Sequence, residues 1–381
     1  MFQKRRIIVV GGGYAGIHVI KHLRKESNHD LEIILVDKND FHFKKVKLFK
    51  TIVEEKQDRL MVPLTEYCGS GVQFVQGELS AIDRANKKVE LRDPLGGYRE
   101  LLYDNLVLAL GSVAKKQEDG IGGRSLSDLV SAMTIRKELL EKIHSGKSGL
   151  RIAIVGGGIT GVETAAELVV WLKNEAISAG MMPSHVEVLL INKQKGLLPD
   201  APKKASELLE HKLKIKGVQS IHQAGVEKFQ DGIIHLCDGS QLMADYCIWT
   251  IGMSPNPSLK LLGLPLQENG QIKTDSWYRV DNTKHLYSIG DCAHIIDTLS
   301  GKAAAMSCKE AIIQAKRLAK IILADLQGVE AEAHKSIPQA YCIGLGPKDA
   351  VTWAQKWGLN FVLTGKLAAK IREYTWEYAS Q

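Results

Sequence analysis

The stretch Gly11–Gly16 (GGGYAG) follows the apolar run Ile7–Val10 (IIVV) and precedes a helical pattern. A short β-branched strand, the spacing G-x-G-x-x-G and a helix together make up a dinucleotide-binding fingerprint. Its first glycine permits the tight turn, its second lets the backbone approach a pyrophosphate, and its third lets the helix pack on the strand. The phosphate then meets the helix N-terminus, which favours anions. The predicted contacts are Gly11, Gly13, Tyr14, Ala15 and Gly16.

A second copy of this pattern stands about 145 positions further on, where Gly156–Gly161 (GGGITG) follows Ile152–Val155 (IAIV). One match alone would be a weak signal, but two in the same strand–turn–helix context predict two dinucleotide-binding units. We expect a chain that binds two dinucleotides to pass electrons between them. The predicted contacts in this copy are Gly156, Gly158 and Gly161.

Each unit also needs a residue at the end of its second strand to hold the ribose hydroxyls. In the first unit the strand Leu31–Val36 (LEIILV) ends at Asp37, 21 residues past the last glycine of the fingerprint. In the second unit the strand Val186–Ile191 (VEVLLI) ends at Asn192, which carries no charge. The two units are therefore expected to hold their ribose groups differently.

The residues after Asn192 bear on the choice of nicotinamide cofactor. Without a carboxylate at this strand end, a 2′-phosphate meets no repulsion, and Lys193 and Lys195 would favour one. Both lysines are equally well explained as solvated surface residues. The sequence therefore leaves NADH and NADPH open.

The composition bounds the class of protein. A chain of 381 residues is long enough for two domains, and the net charge of +7 fits acidic cofactors or a membrane surface and predicts no nucleic-acid partner. Lys4–Arg6 is followed by only four apolar residues, too few for a signal peptide, and no apolar run is long enough to cross a bilayer. The six cysteines are spread without a CxxC, so we expect a reduced, cytoplasmic chain without a metal site.

Strands and helices alternate in both halves, which predicts parallel sheets and an α/β fold. Later strands end on glycine: Gly111 closes LVLALG, Gly252 closes IWTIG, and Gly290 with Asp291 closes LYSIGD. We predict two Rossmann-like dinucleotide-binding domains, the second inserted in the first, and a C-terminal tail. Their predicted limits are residues 1–112 with 275–330, residues 126–252, and residues 331–381.

The ordered set GGGYAG, LVLALGS, GGGITGVE, IWTIG and IGDCAH resembles that of the two-dinucleotide-binding-domain flavoproteins over residues 5–330. The resemblance implies that the first unit holds FAD and the second holds NADH or NADPH. It also implies that the Gly-Asp motif closes the FAD site, so that Asp291 contacts the ribityl or pyrophosphate region.

Within that group the chain is most similar to type II NADH dehydrogenases and ferroptosis-suppressor-type quinone reductases. The features that carry the likeness are Asn39–Phe43 (NDFHF), the glutamate of Gly161-Val162-Glu163, and Gly346–Val351 (GPKDAV). The resemblance implies an FAD-dependent NAD(P)H:quinone oxidoreductase, peripheral on the inner face of the cell membrane. It also implies that Glu163 lies near the flavin and nicotinamide and supports hydride or proton transfer.

One segment departs from the type II dehydrogenases. Lys302–Lys309 (KAAAMSCK) lacks their glutamines, and a lysine at its head is more similar to the ferroptosis-suppressor type. We expect Lys302, with a helix starting about Ala303, to stabilise the reduced flavin; a solvated loop lysine is the alternative.

Three side chains are acid–base candidates at the site. Glu163 is expected in the first turn of its helix, where capping alone could explain a carboxylate, and Glu167 on the same face ranks below it. His42 either relays a proton to the acceptor or serves as a structural histidine.

The tail carries an amphipathic stripe at spacings of four, four, three and four, with Lys366, Lys370 and Arg372 away from its centre. Such a stripe with flanking tryptophans is typical of an interfacial membrane anchor. A helix packed on the body, or a homodimer contact, is the alternative. The stripe residues are Leu363, Leu367, Ile371, Tyr374 and Tyr378, and the tail tryptophans are Trp353, Trp357 and Trp376.

Other functions remain open from the sequence. A related flavin reductase could serve a soluble protein, sulfide or thiol acceptor, and a redox-sensing flavoprotein would bind nucleotide with slow turnover. Cys308 and Cys342, although far apart in sequence, could meet in space and support a thiol mechanism.

Overall fold

The computed structural model describes residues 4–26, 31–54, 60–115, 117–118, 120–145, 149–337, 340–356 and 359–380. Within these ranges the α-helices are α1 (Tyr14–Glu26), α2 (Lys50–Val53), α3 (Thr65–Cys68), α4 (Leu129–His144), α5 (Ile159–Ser178), α6 (Lys203–Lys216), α7 (Cys308–Gln327) and α8 (Lys366–Ala379).

The strands follow the chain in the same ranges. They are β1 (Arg5–Val10), β2 (Leu31–Asp37), β3 (Phe41–Phe43), β4 (Met61–Pro63), β5 (Val72–Gln76), β6 (Glu78–Asp83), β7 (Lys88–Arg92), β8 (Tyr98–Leu102), β9 (Asn105–Leu108), β10 (Ser112–Ala114), β11 (Arg124–Ser125), β12 (Leu150–Val155), β13 (Val186–Ile191), β14 (Val218–Ile221), β15 (Val226–Gln230), β16 (Ile233–Leu236), β17 (Gln241–Met243), β18 (Tyr246–Trp249), β19 (Met253–Pro255), β20 (Ile272–Lys273), β21 (Leu286–Ser288), β22 (Ala293–His294), β23 (Ala340–Gly344), β24 (Ala350–Lys356) and β25 (Leu359–Thr364).

The first sheet is parallel and has the order β21-β9-β1-β2-β5. Its central strand β1 is fully buried from Ile7 to Val10, because a parallel sheet covered on both faces requires near-continuous apolar strands. Helices α1 and α7 pack together on one face. The late strand β21 pairs with β9, so the chain returns to this sheet after the second fingerprint.

The second sheet repeats this plan with the order β11-β18-β12-β13-β14, again parallel. Helices α4, α5 and α6 contribute to the apolar core on one face, and the antiparallel sheet β15-β16-β17 contributes to the core on the other. The two parts of the chain are joined by an antiparallel pair, β10 with β19. The predicted α/β fold with two Rossmann-like sheets is confirmed.

The tail is more folded than an isolated helix. Strands β23, β24 and β25 form an antiparallel sheet, and α8 packs against all three. Trp353 stacks on Tyr341 and is buried, and Trp376 is buried beside Phe49 of the first half of the chain. Trp357 lies outside the described residues. No helix within the described ranges is long and apolar enough to span a bilayer.

Three local predictions were wrong. Helix α7 begins at Cys308 rather than about Ala303, because Ala303 is engaged in a β-bridge with Ile296 and Ser307 caps the helix by accepting the Glu310 N–H at 3.2 Å.

Glu163 lies in the second turn of α5, which begins at Ile159, so helix capping does not explain it. Leu363 belongs to β25, where it pairs with Thr352, and the helical part of the stripe therefore begins only after Gly365.

Candidate active site

The two glycine fingerprints have the same backbone geometry. Gly11 and Gly156 adopt φ angles of +115° and +125°, a region that side chains other than glycine rarely enter. A Cβ at Gly11 would overlap the carbonyl oxygen of Ala109, and a Cβ at Gly156 would overlap that of Thr250. The first glycine of each fingerprint is therefore required by close packing against a neighbouring strand.

The last glycine of each fingerprint is also required by packing. A Cβ at Gly16 would overlap the Gly11 carbonyl oxygen, and a Cβ at Gly161 would overlap the Gly156 carbonyl oxygen. These contacts fix the approach of α1 and α5 to their strands, which places the free N–H groups of each helix start at the end of the sheet.

The middle glycines differ from the others. A Cβ at Gly13 or at Gly158 would meet no atom within 4 Å. Each of them faces open space at a helix N-terminus, where a pyrophosphate is best stabilised. The residues present therefore fit two dinucleotides, and we call these two places the first and second glycine cradles (Gly11–Gly16 and Gly156–Gly161).

At the end of β2, Asp37 is bound to the first cradle. Its Oδ2 accepts the Gly12 N–H at 2.6 Å, and its Oδ1 accepts the Asn39 N–H at 2.8 Å. Burial raises the pKa of this carboxyl, while the two N–H groups oppose the shift. Asp37 thus lies where the fingerprint expects the ribose partner.

Asp291 lies across the same site and is linked to a lysine. Ser112 Oγ donates to Asp291 Oδ2 at 2.6 Å, and Lys45 Nζ donates to the Ser112 carbonyl oxygen at 2.8 Å. Burial lowers the pKa of Lys45, and the nearby carboxylates Asp291 and Asp37 oppose that change. Two acidic residues far apart in sequence therefore share one partly desolvated cation.

The remaining predicted glycines mark the edges of these sites. A Cβ at Gly290 would lie 3.2 Å from Ala15 Cβ, so the Gly-Asp turn packs directly on the start of α1. Gly111 and Gly252 follow β9 and β18, and their carbonyl oxygens accept N–H groups of the opposite connection. The structure thus brings the first cradle, the Gly-Asp turn and the crossover together.

At the end of β13, Asn192 is buried but turned toward its own loop. Its Oδ1 accepts the Gln194 N–H at 3.2 Å, and its Nδ2 donates to the Gly196 carbonyl oxygen at 2.8 Å. Lys193 and Lys195 are exposed beside it. This strand end therefore offers no carboxylate and two solvent-facing cations.

Glu163 is buried in a complete set of hydrogen bonds. Arg372 of α8 donates to Oε1 through Nε and to Oε2 through Nη2, both at 2.8 Å, and the Gly344 N–H donates to Oε1 at 2.7 Å. Burial raises the pKa of this carboxyl, and Arg372 is the largest opposing cause. The glutamate therefore links α5 to the C-terminal tail.

The other acid–base candidates are arranged differently. Glu167 pairs with Lys50 at 3.6 Å, one turn further along α5. Lys302 is exposed in a tight turn closed by the Asp297 N–H donating to the Lys302 carbonyl oxygen, and among the described residues its ammonium has no ion-pair partner. The structure thus buries Glu163 and leaves Lys302 in solvent.

His42 is buried against the first cradle. Its Nδ1 is 3.0 Å from the Gly12 carbonyl oxygen, and its ring packs edge-on against Tyr14 and Tyr67. Burial lowers the pKa of His42 to about 4, so the ring is neutral near pH 7. This geometry favours the structural alternative for His42 over proton relay.

The cysteines of the described chain are free. Burial raises the pKa of both the Cys308 and the Cys342 thiols, and Cys342 Sγ is 2.6 Å from Thr352 Oγ1. A raised thiol pKa lowers the fraction of the reactive thiolate. The site therefore offers no activated thiol at this pair.

Sequence reasoning missed Lys45, and it assigned Arg372 to the surface of the tail. Lys45 stands in a lysine-rich run that is typical of a solvated segment, and no periodic pattern distinguishes it. Arg372 lies on the side of α8 opposite the apolar stripe. If the stripe faces a membrane, the opposite side must pack on the protein, and this reasoning could have indicated that Arg372 is covered.

The chain belongs to the pyridine nucleotide-disulphide oxidoreductase family, whose model matches residues 5–315. This confirms the expected class of protein. The individual site residues and the domain limits remain predictions.

Individual proteins similar to this chain include several quinone reductases. The chain is 28% identical to the demethylphylloquinone reductase NdbB of Synechocystis sp. over 98% of this chain and 91% of that protein. It is 26% identical to the type II NADH:quinone oxidoreductase of Staphylococcus aureus over 92% of this chain and 89% of that protein. The fold matches the structure of NDH2 from Plasmodium falciparum in complex with NADH, with a TM-score of 0.82, 16% identity, and coverage of 98% of this chain and 94% of that one.

Proposed function

We propose that this chain is an FAD-dependent NAD(P)H dehydrogenase that passes electrons to a quinone. The observation that carries the proposal is the pair of glycine cradles, each open at its middle glycine before a helix N-terminus. A flavin bound at the first cradle would supply the chemistry for taking hydride from the nicotinamide and passing electrons on. The net change converts NAD(P)H, one proton and a quinone into NAD(P)⁺ and a quinol. The names of the Synechocystis and Staphylococcus relatives support quinone as the acceptor class.

The division of labour follows the two sheets. Residues 1–112 with 275–330 are assigned to FAD, and residues 126–252 to NADH or NADPH. The N–H groups at the start of α1 would hold the FAD pyrophosphate. The assigned FAD contacts are Gly11, Gly13, Tyr14, Ala15, Gly16, Asp37, Gly111, Gly290 and Asp291. The assigned nicotinamide-nucleotide contacts are Gly156, Gly158, Gly161, Asn192 and Gly252.

Glu163 is assigned the proton-handling role, because burial raises the pKa of its carboxyl and so favours uptake of a proton, while Arg372 and the Gly344 N–H favour its release. Lys302 keeps its assignment as the cation that stabilises the reduced flavin, with a solvated loop lysine as the alternative; its side chain is exposed. Lys302→Met separates the two: slower flavin reduction by NADH supports the assignment, and unchanged kinetics reject it.

The first experiment is an anaerobic titration of the purified protein, followed by its visible spectrum. A bound flavin bleached by NADH or NADPH and restored by a soluble quinone supports donor, cofactor and acceptor together. A colourless protein that cannot be reconstituted with FAD overturns the proposal. A flavin that bleaches but ignores quinone directs attention to a soluble acceptor.

We also propose that the tail seats the protein on the inner face of the cell membrane. On α8, Leu367 and Tyr374 are 60% and 66% exposed, and Tyr378 lies on the same side. On β25, Phe361 is 52% exposed. Apolar and aromatic side chains in solvent beside lysines are typical of an interfacial anchor. The cations of this face are Lys366 and Lys370.

Flotation with anionic vesicles tests the anchor in the full-length chain. The double variant Leu367→Asp/Tyr374→Asp should remain at the bottom of the gradient, while wild type floats. Leu95→Asp is the matched control, because Leu95 is 98% exposed in the β7–β8 turn, away from the tail. Equal flotation of all three proteins rejects the anchor and leaves a homodimer contact as the occupant of this face.

A further inference from the structure

Arg372 joins the tail to a buried carboxylate of α5. Its guanidinium holds both oxygens of Glu163, whose side chain is 2% exposed, while the arginine side chain is 14% exposed. The same guanidinium lies 4.6 Å from the ring centre of Trp376, one turn further along α8. A two-point arginine–carboxylate pair fixes the direction of the carboxylate as well as its charge.

The other charged groups around Glu163 do not duplicate this contact. On its own helix, Glu167 is a like charge that disfavours ionisation of Glu163, and Lys50 of α2 pairs with Glu167. From β23 the Gly344 N–H stabilises the charge, and Cys342 is a neutral thiol nearby. From α7, Cys308 faces Arg372. Loss of Arg372 would therefore leave only the Gly344 N–H to stabilise ionised Glu163 against burial and a like charge.

Helix α8 thus has an inward face and an exposed face. Arg372 and Trp376 are turned inward, while Leu367 and Tyr374 are exposed on the outside. A helix that binds a surface with one face and holds a buried carboxylate with the other couples the two events, because Arg372 stays in place only while α8 is seated.

We propose that Arg372 is a positioning residue of the active site, which keeps Glu163 ionised and oriented for proton exchange, so that the tail completes the site. The inference rests on the proposed function for the role of Glu163 in turnover. In each cycle NAD(P)H supplies the hydride, solvent supplies one proton through Glu163, and the quinone takes up both as it becomes a quinol. Arg372 touches none of the reacting atoms and acts through the glutamate.

Four variants of the full-length holoenzyme test this: Arg372→Met, Arg372→Lys, Glu163→Gln and the double variant Glu163→Gln/Arg372→Met. Steady-state rates with a soluble quinone are measured from about pH 5 to about pH 9, where a buried carboxyl relay titrates. Arg151→Met is the control. It removes an arginine from the Arg151–Glu187 pair, which is exposed at the amino end of β12.

Arg372→Met should lower kcat about tenfold near pH 7, with little change in the KM for NADH, and shift the acid limb of the profile to higher pH by about one unit or more. Arg372→Lys should recover part of that shift. The double variant should be no slower than Glu163→Gln alone, because residues that act through one another are not additive.

An infrared readout decides the charge of Glu163 without turnover. In the flavin-free and flavin-bound proteins, Arg372→Met should show a protonated carboxyl band at neutral pH that the double variant lacks. No such band, or a loss of activity with an unchanged pH profile, overturns the inference.

The failures are distinguishable. If wild type reduces no quinone, the proposed function falls while the infrared comparison still decides the role of Arg372. If Glu163→Gln turns over at the wild-type rate, the link through Glu163 is wrong while quinone reduction stands.

Discussion

The two glycine cradles share their backbone and differ at the adjoining strand end. In the first, Asp37 accepts the Gly12 N–H and faces into the site. In the second, Asn192 occupies the same place on β13, but its side-chain amide forms hydrogen bonds with Gln194 and Gly196 of its own loop. The comparison shows that one glycine spacing gives the same backbone in both cradles, and we propose that the strand-end side chain selects the nucleotide by its contact with the ribose.

The cradles also differ in how they meet the tail. In the first half of the chain Lys44 and Lys47 pair with Glu377 of α8, and His18 lies 3.2 Å from the Ala379 carbonyl oxygen. In the second, Glu163 of α5 pairs with Arg372 of α8, and Lys212 of α6 pairs with Asp349 at 2.8 Å. The tail therefore contacts both units, through a half-exposed Glu377 on one side and the buried Glu163 on the other.

The largest expected effect comes from filling one cradle at a time. Gly13→Val and Gly158→Val each place a side chain in open space, so both proteins should fold with a melting temperature close to that of wild type. Gly13→Val should weaken FAD binding by at least about 100-fold, or about 2.7 kcal/mol, because the side chain occupies the phosphate position. Gly158→Val should retain flavin and weaken NADH binding to the same degree.

Each variant is the control for the other. Flavin fluorescence measures the first affinity, and anaerobic bleaching measures the second. Loss of flavin from Gly158→Val, or normal flavin in Gly13→Val, would break the assignment of the two cradles.

The next effect is a loss of folding stability at acidic pH. Burial lowers the pKa of both His18 and His42 to about 4, and both rings lie in the first unit. Between pH 6.5 and 4 the unfolded chain binds protons that these folded rings do not, so stability is present at neutral pH and falls as the pH is lowered through this window. The loss is at most about 3.4 kcal/mol per histidine.

Urea unfolding at several pH values measures this loss. His42→Gln should give a shallower decline than wild type, because one titrating ring is gone. An identical slope for the two proteins would show that His42 does not titrate abnormally.

A smaller effect is expected at Lys45. Lys45→Met removes the cation between Asp37 and Asp291 and should weaken FAD binding about tenfold, or about 1.4 kcal/mol. NADH affinity should not change. Lys38→Met is the control, since Lys38 is an exposed cation beside Asp37. Equal FAD affinities of the two variants would exclude Lys45 from the cofactor site.

The smallest effect is expected at the second strand end. Lys193→Ala/Lys195→Ala should raise the KM for NADPH several-fold and leave that for NADH unchanged, because solvent-exposed charge pairs contribute up to about 1 kcal/mol each. Lys260→Ala, elsewhere on the surface, controls for net charge. Equal changes for both nucleotides would mean that the lysines do not meet a 2′-phosphate.

Much of the framework followed from local patterns. The strand Val186–Ile191 was predicted with its observed bounds, and Asp37 was correctly placed at the end of β2. The helical stripe of the tail was predicted to begin at Leu363, one turn before the helix starts. Leu363 has the right spacing for a helix, but it pairs in β25. Periodicity does not distinguish a strand from a helix over so few residues.

The sequence by itself determined the two glycine cradles and their strand ends, because turn geometry and apolar periodicity act over a few neighbouring residues. Only the tertiary structure decided that Arg372 pairs with the buried Glu163, 209 positions away, and that Lys45 comes close enough to Asp37 and Asp291 for both to influence its pKa. From the sequence alone, a Lys or Arg is expected to be solvated, because these residues are almost never buried unless they have a partner. The partner becomes visible only when folding brings distant segments together.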